Sequence, residues 1–93
     1  MEPYKPTILV TDDSRVVRKA ASSTLSSNYN VLEAASGAEA LSIIDREESI
    51  QALFLDLWMP DMDGYEVLRK IRSSGNRRLH DLQCVFATVD AFD

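Results

Sequence analysis

Four short apolar runs alternate with segments of helical periodicity along this chain, and that alternation restricts the possible folds more than any other feature. Such an order of elements is typical of a parallel β-sheet covered by helices. We therefore predict an α/β fold, a doubly wound parallel sheet with four strands and three helices. The runs cover residues 7–11, 29–34, 52–55 and 82–87, and the polar stretch 76–81 is predicted to be a loop.

Length and composition indicate one globular domain over residues 1–93, since 45% of the residues are hydrophobic and 27% are charged. The net charge of −5 argues against direct binding to nucleic acid, which needs a basic surface. Cys84 is the only cysteine, so an internal disulfide and a cysteine zinc site are excluded. The sequence offers no leader-like start and no apolar run of the ~20 residues that a membrane span needs, so we expect a cytoplasmic protein without membrane contact.

Three aspartates follow two of the apolar runs. Asp12 and Asp13 come directly after the first run, and Asp56 closes the third. Parallel strands end at one edge of the sheet, ~5 Å apart if they are neighbours, so the three carboxylates are expected to share a pocket. Two such charges ~4 Å apart repel by about 4 kcal/mol at an effective dielectric constant of ~20. Either one carboxyl keeps its proton or a hard cation such as Mg²⁺ or Mn²⁺ binds there, with the backbone carbonyl of Trp58 as a further ligand.

A purely structural role competes with this interpretation. Aspartate after a strand often caps the next helix, so Asp12 or Asp13 can serve that purpose alone, as can Ser14. Asp61 and Asp63 are assigned to the turn and to the cap of the third helix. The basic residues near the end of that helix are assigned to a solvated face; they are Arg69, Lys70, Arg72, Arg77 and Arg78.

Three stretches of the sequence form a specific pattern. They are Ile8-Leu9-Val10-Thr11-Asp12-Asp13-Ser14, Leu53-Phe54-Leu55-Asp56-Leu57-Trp58-Met59-Pro60-Asp61-Met62-Asp63-Gly64 and Val85-Phe86-Ala87-Thr88. The middle stretch is the most specific, because an aspartate followed by Met-Pro and then Met-Asp-Gly at this spacing is rare by chance. From about Lys5 to Thr88 the chain resembles the receiver domain of bacterial two-component response regulators, which implies a flavodoxin-like sheet.

The resemblance implies a role for each matching residue. Asp56 is expected to accept a phosphoryl group from a phosphohistidine of a histidine kinase or phosphotransfer protein. Mg²⁺ is expected to bind the carboxylates of Asp12, Asp13 and Asp56 and the carbonyl of Trp58. Thr88 is expected to donate its hydroxyl to a phosphoryl oxygen and to act as a switch.

The sequence also departs from the family pattern. A fifth strand with a Lys-Pro pair and the last helices of the family are not found, and no lysine follows Lys70. This predicts an incomplete, C-terminally short receiver domain whose phosphorylated state is less stabilised. Such a chain is a fragment of a longer regulator, a natural short receiver acting as a phosphorylation-independent dimerisation or interaction module, or one that borrows parts from a second copy. We expect a homo-oligomer through the last strand, at Val85, Phe86 and Ala87, or through an uncovered apolar face.

An enzyme of the haloacid-dehalogenase type is the main catalytic alternative. Those enzymes also use an aspartate nucleophile with Mg²⁺, but they need a second aspartate two residues further on. That position is Trp58 here. We therefore predict a signalling domain and not an enzyme.

Overall fold

The computed structural model describes residues 4–86, and its strands form one parallel sheet in the order β2-β1-β3-β4. The order reverses at β1, which is the mark of a doubly wound sheet, so the predicted α/β fold is confirmed. The elements are β1 (Thr7–Thr11), α1 (Arg15–Leu25), β2 (Asn30–Ala34), α2 (Gly37–Arg46), β3 (Ile50–Leu55), α3 (Gly64–Arg72), α4 (Arg77–His80) and β4 (Gln83–Phe86).

The main core lies between one face of the sheet and helices α2 and α3. Leu9 pairs in register with Leu53, and both are fully buried together with Leu55. Strand side chains alternate between faces, so every second residue of these apolar runs enters this core. The two helices contribute Ala40, Ile43, Ile44, Val67 and Ile71.

Helix α1 contacts β1 and β2 and contains no fully buried residue. The apolar residues of its half-buried face are Val17, Ala21 and Leu25, spaced four apart. Val16, which precedes this stripe by one residue, is 80% exposed. A helix turns about 100° per residue, so a neighbour of Val17 lies off the stripe.

The predicted loop at residues 76–81 is wrong, because Arg77–His80 form a short helix. Asn76 caps it by accepting a hydrogen bond from the amide of Arg78 at 3.0 Å. Leu79 anchors it in the core with 6% exposure. A single helical turn is too short to produce a visible apolar period, which is why the sequence pattern missed it.

Two of the basic residues assigned to a solvated face have structural contacts instead. The guanidinium of Arg72 donates to the carbonyl of Leu79 at 2.9 Å, and that of Arg78 donates to the carbonyl of Ile44 at 2.9 Å. These bonds tie α4 to α3 and α2.

Among the helices of the described residues, none has the length and apolarity to cross a bilayer.

Candidate functional site

The ends of β1 and β3 meet at one edge of the sheet. Thr11 pairs with Leu55 in the register, and the amide of Asp56 donates to the carbonyl of Thr11 at 3.0 Å. The amide of Asp12 donates to the carbonyl of Ala34 at 3.1 Å, which fixes the exit from β1 in the same way. The sheet therefore holds the backbones of Asp12 and Asp56 side by side.

The structure brings together the three aspartates that the sequence singled out. One carboxylate oxygen of each of Asp12, Asp13 and Asp56 lies within 4.8 Å of the other two. Asp13 is exposed, Asp12 is half-buried and Asp56 is buried with 8% exposure. We refer to these residues as the acidic triad.

Local hydrogen bonds orient Asp12. Its Oδ1 accepts from the amide of Ser14 at 2.8 Å, and its carbonyl oxygen accepts from the guanidinium of Arg18 at 2.8 Å. Ser14 in turn caps α1, because its Oγ accepts from the amide of Val17 at 3.3 Å. The capping role considered for Asp12 or Asp13 therefore belongs to Ser14, and neither aspartate is needed for it.

Asp56 is held by the loop that follows it. Its Oδ1 accepts from the amide of Trp58 at 3.2 Å. Burial raises the pKa of Asp56, the hydrogen bond from Trp58 opposes that change, and the charges of Asp12 and Asp13 raise the pKa further. Burial also raises the pKa of Asp12, with the Ser14 amide opposing and the charge of Asp13 adding to the rise.

This donor set fits a hard divalent cation. Three carboxylates converge, and the burial of Asp56 together with their mutual repulsion favours a proton or a cation among them. Oxygen ligands on a partly open rim suit Mg²⁺, which usually keeps several waters. Within residues 4–86 no hydrogen bond uses the carbonyl oxygen of Trp58, so that atom is available as a ligand.

A family model described as the response regulator receiver domain matches residues 8–92. The chain belongs to this family. It is 38% identical over 86 residues to the two-component response regulator ORR5 of Oryza sativa subsp. japonica, covering 91% of this chain and 63% of that protein. It is 46% identical over 70 residues to the response regulator MprA of Mycobacterium leprae, covering 74% of this chain and 30% of that protein. The chain therefore spans less than two thirds of the length of either relative.

Solved receiver domains have the same fold. The chemotaxis response regulator CheY4 of Vibrio cholerae matches with a TM-score of 0.81 and 27% identity, over 89% of this chain and 68% of that one. The receiver domain of a sensor histidine kinase from Pseudomonas aeruginosa PAO1 matches with a TM-score of 0.84 and 25% identity, over 97% of this chain and 72% of that one. That structure has a magnesium ion coordinated in its active-site cleft.

The loop of this receiver domain contains a close contact that sequence reasoning missed. A Cβ atom on Gly64 would lie 2.7 Å from the carbonyl oxygen of Asp56 and 3.1 Å from the Cα of Leu57. The amide of Gly64 also donates to the carbonyl of Leu57 at 3.1 Å. Helix α3 thus begins directly against the backbone of Asp56, and the only signal for this was the glycine of the Met-Asp-Gly motif.

The remaining predicted residues of the loop and of the last strand have different outcomes. Asp63 caps α3 as expected, with its Oδ1 accepting from the amide of Glu66 at 2.8 Å. Asp61, which was assigned with Asp63 to the turn and that cap, has a further contact that the sequence did not indicate, because its carboxylate caps α2. The side chain of Trp58 is 60% exposed beside the triad. Thr88 lies outside the described residues, so its role stays a prediction.

Proposed function

We propose that this receiver domain is the phosphoacceptor of a two-component system, and that Asp56 accepts the phosphoryl group from the phosphohistidine of a histidine kinase or phosphotransfer protein. The supporting observation is the acidic triad, in which a buried carboxylate meets two others at the carboxyl edge of the sheet. A single buried aspartate would be explained by capping, but three converging ones fit a metal-assisted phosphoryl transfer.

The two oxygens of Asp56 have different roles in this proposal. Oδ1 is engaged by the amide of Trp58. Oδ2 is then the nucleophile, which attacks the phosphorus atom and forms an acyl phosphate. The P–N bond to the imidazole of the donor breaks, and its electron pair stays on that nitrogen. The other residues of the site position the reacting groups and balance their charge but form no covalent bond, as is general for phosphoryl transfer.

Mg²⁺ would be held by the carboxylates of Asp12, Asp13 and Asp56 and by the Trp58 carbonyl, and when bound it would neutralise charge between carboxylate and phosphate. The residues of the chain keep these ligands in place. The Ser14 amide and the Arg18 guanidinium orient Asp12, and the Thr11 carbonyl fixes the backbone of Asp56. Thr88 is proposed as the hydroxyl donor to the phosphoryl group.

The test is phosphorylation by a small donor. The protein is incubated with Mg²⁺ and acetyl phosphate, and intact mass spectrometry is used to detect the addition of one phosphoryl group. We expect Asp56→Asn to abolish the adduct, whereas Asp45→Asn, at an exposed position on α2, retains it. An adduct that persists in Asp56→Asn, or no adduct in the wild type, would exclude Asp56 as the acceptor.

A phosphorylation-independent interaction module is the second candidate. Among the described residues β4 pairs only with β3, and Val85 is 47% exposed on this edge strand. An exposed strand edge favours pairing with another chain, and a lysine there disfavours it. We expect light scattering to detect an oligomer that Val85→Lys dissociates and that Ser23→Lys, on exposed α1, preserves. A wild-type monomer at micromolar concentration would rule this candidate out.

A further inference from the structure

Asp61 connects the loop after Asp56 to a helix that is distant in sequence. Its Oδ1 accepts from the amide of Gly37 at 3.2 Å, and its Oδ2 accepts from the amide of Ala38 at 3.1 Å. The first amides of a helix have no partner within the helix, so they are available to an outside acceptor. Asp61 thus provides a bidentate cap for α2 from a position 23 residues beyond Ala38.

The same helix also has a cap from its own segment. The Oγ of Ser36 accepts from the amide of Glu39 at 3.1 Å, and the carboxylate of Glu39 accepts from the amide of Ala35 at 3.0 Å. These local bonds leave the amides of Gly37 and Ala38 to Asp61. The N-terminus of α2 is therefore held in two ways, and only the bonds to Asp61 reach the loop of the acidic triad.

The start of α2 also packs closely against the loop and α3. A Cβ atom on Gly37 would lie 3.0 Å from both the Cβ of Met62 and the Cγ2 of Val67, so the start of α2 sits tightly against the loop and α3. Ala40 and Ile44 anchor α2 in the core. Burial alone would raise the pKa of Asp61, but the amides of Ala38 and Gly37 hold that pKa below its ordinary value, so the carboxylate is ionised when it caps the helix.

We propose that Asp61 is a positioning residue for the metal and phosphoacceptor site. It fixes the loop that runs from Trp58 to Gly64. The amide of Trp58 donates to Asp56 and its carbonyl is a proposed ligand, while Gly64 packs against the backbone of Asp56. Without the two bonds to α2, the loop would be free to change its position relative to Asp56, and the carbonyl of Trp58 would move with it. This inference rests on the proposed Mg²⁺-dependent function of that site.

Mg²⁺ titration of three variants tests the proposal, with binding followed by calorimetry and by the fluorescence of Trp58. Asp61→Ala removes both bonds, and we expect the Mg²⁺ dissociation constant to rise about tenfold, as for loss of an outer-shell contact. Ser36→Ala weakens the same helix end without touching the loop. Because Ser36→Ala removes one ordinary helix cap, it should lower the urea midpoint about as much as Asp61→Ala does. It should leave the Mg²⁺ dissociation constant within about twofold of the wild-type value.

Asp61→Asn separates position from charge. It removes the negative charge as alanine does, but it keeps one acceptor oxygen for α2, so its dissociation constant should lie between those of the wild type and Asp61→Ala. If Asp61→Asn and Asp61→Ala weaken Mg²⁺ binding equally, the effect belongs to the charge. If Asp61→Ala leaves the dissociation constant unchanged, Asp61 has no positioning role. Either result overturns this inference but not the proposed function. A wild type that does not respond to Mg²⁺ overturns the proposed function and this inference together.

Discussion

The amide of Asp56 donates a 3.0 Å hydrogen bond to the carbonyl of Thr11. This bond continues the pairing of β3 with β1 by one residue beyond the strand, and it places Asp56 next to the residue that follows Thr11. The convergence of the acidic triad is therefore a property of the sheet itself. Side-chain orientation adds to it, but the spacing is already set by two neighbouring parallel strands.

Removal of the charge of Asp56 should stabilise the metal-free protein. The triad packs three carboxylates within 4.8 Å. Two unit charges at ~4 Å repel by about 4 kcal/mol at an effective dielectric constant of ~20, and exposure of Asp13 reduces this to the order of 1 kcal/mol. We expect Asp56→Asn to raise the free energy of unfolding by that amount near neutral pH, measured by urea denaturation with EDTA.

The pH dependence of this effect follows from the pKa of Asp56. Burial, together with the charges of Asp12 and Asp13, raises that pKa in the folded state above its ordinary value of 3.8. The contribution of the Asp56 carboxyl to the free energy of unfolding is therefore fully present below pH 3.8, and it is lost as the pH rises through the folded pKa. The advantage of Asp56→Asn should grow over that range, and equal stability gains at acid and neutral pH would contradict the prediction.

Gly64→Ala should disturb the site more than its small size suggests. Its Cβ would meet the Asp56 carbonyl oxygen at 2.7 Å, so the start of α3 or the backbone of Asp56 must move. Such crowding typically costs 1–3 kcal/mol, so we expect a loss of about 2 kcal/mol in urea denaturation and slower phosphorylation by acetyl phosphate. Gly75→Ala is the matched control, because no atom lies within 4 Å of its added Cβ. Equal losses in both variants would show that crowding at Asp56 is not the cause.

The sequence predicts those parts of the fold that depend on local pattern. The apolar run 53–55 places Leu53 and Leu55 in the buried core, and Ser36 with Glu39 has the spacing of a helix cap. The parallel order then implies which loops share an edge, so the convergence of the acidic triad was predictable from the order of the strands. Helix α4 was not predictable, because one turn leaves no period.

Contacts between distant segments were the other part that the sequence did not reveal. Nothing in the local pattern of Asp61 indicates that its partners are Gly37 and Ala38, which precede it by 24 and 23 residues. The contact of Gly64 with Asp56 likewise depends on how α3 approaches the end of β3. In α2, Ala40 is buried and Ala38 is exposed, because the helix packs against the sheet and α3 with the face that carries Ala40.

Mg²⁺ should stabilise the protein through the acidic triad. A ligand that binds only the folded state adds about 2.7 kcal/mol at 100 times its dissociation constant. We expect a higher thermal midpoint with MgCl₂ than with NaCl of equal ionic strength, and EDTA should reverse the change. Asp13→Asn should remove most of this stabilisation while leaving the fold intact, because Asp13 is exposed. A similar rise in that variant would place the bound cation elsewhere.

Glu33 on β2 should have the opposite pH dependence from Asp56. Its carboxylate contacts Arg18 and Lys19 at 3.1 Å each, and Arg18 also bonds the carbonyl of Asp12. Burial would raise the pKa of Glu33, but the hydrogen bonds from Lys19 and Arg18 and the charge of Lys19 lower it below 4.5. The contribution of Glu33 is therefore present above 4.5 and is lost as the pH falls through the folded pKa.

Glu33→Gln measures this contribution. The pair with Lys19 is partly exposed, so we expect a loss of about 0.5–1 kcal/mol near neutral pH and a smaller loss at acid pH, where the carboxylate becomes protonated as the pH falls through its folded pKa. Urea denaturation in low and high salt checks the cause, because screening should shrink the difference. Glu48→Gln, at an exposed position, serves as the control. A loss that is the same at both pH values would assign the effect of Glu33 to packing rather than to its charge.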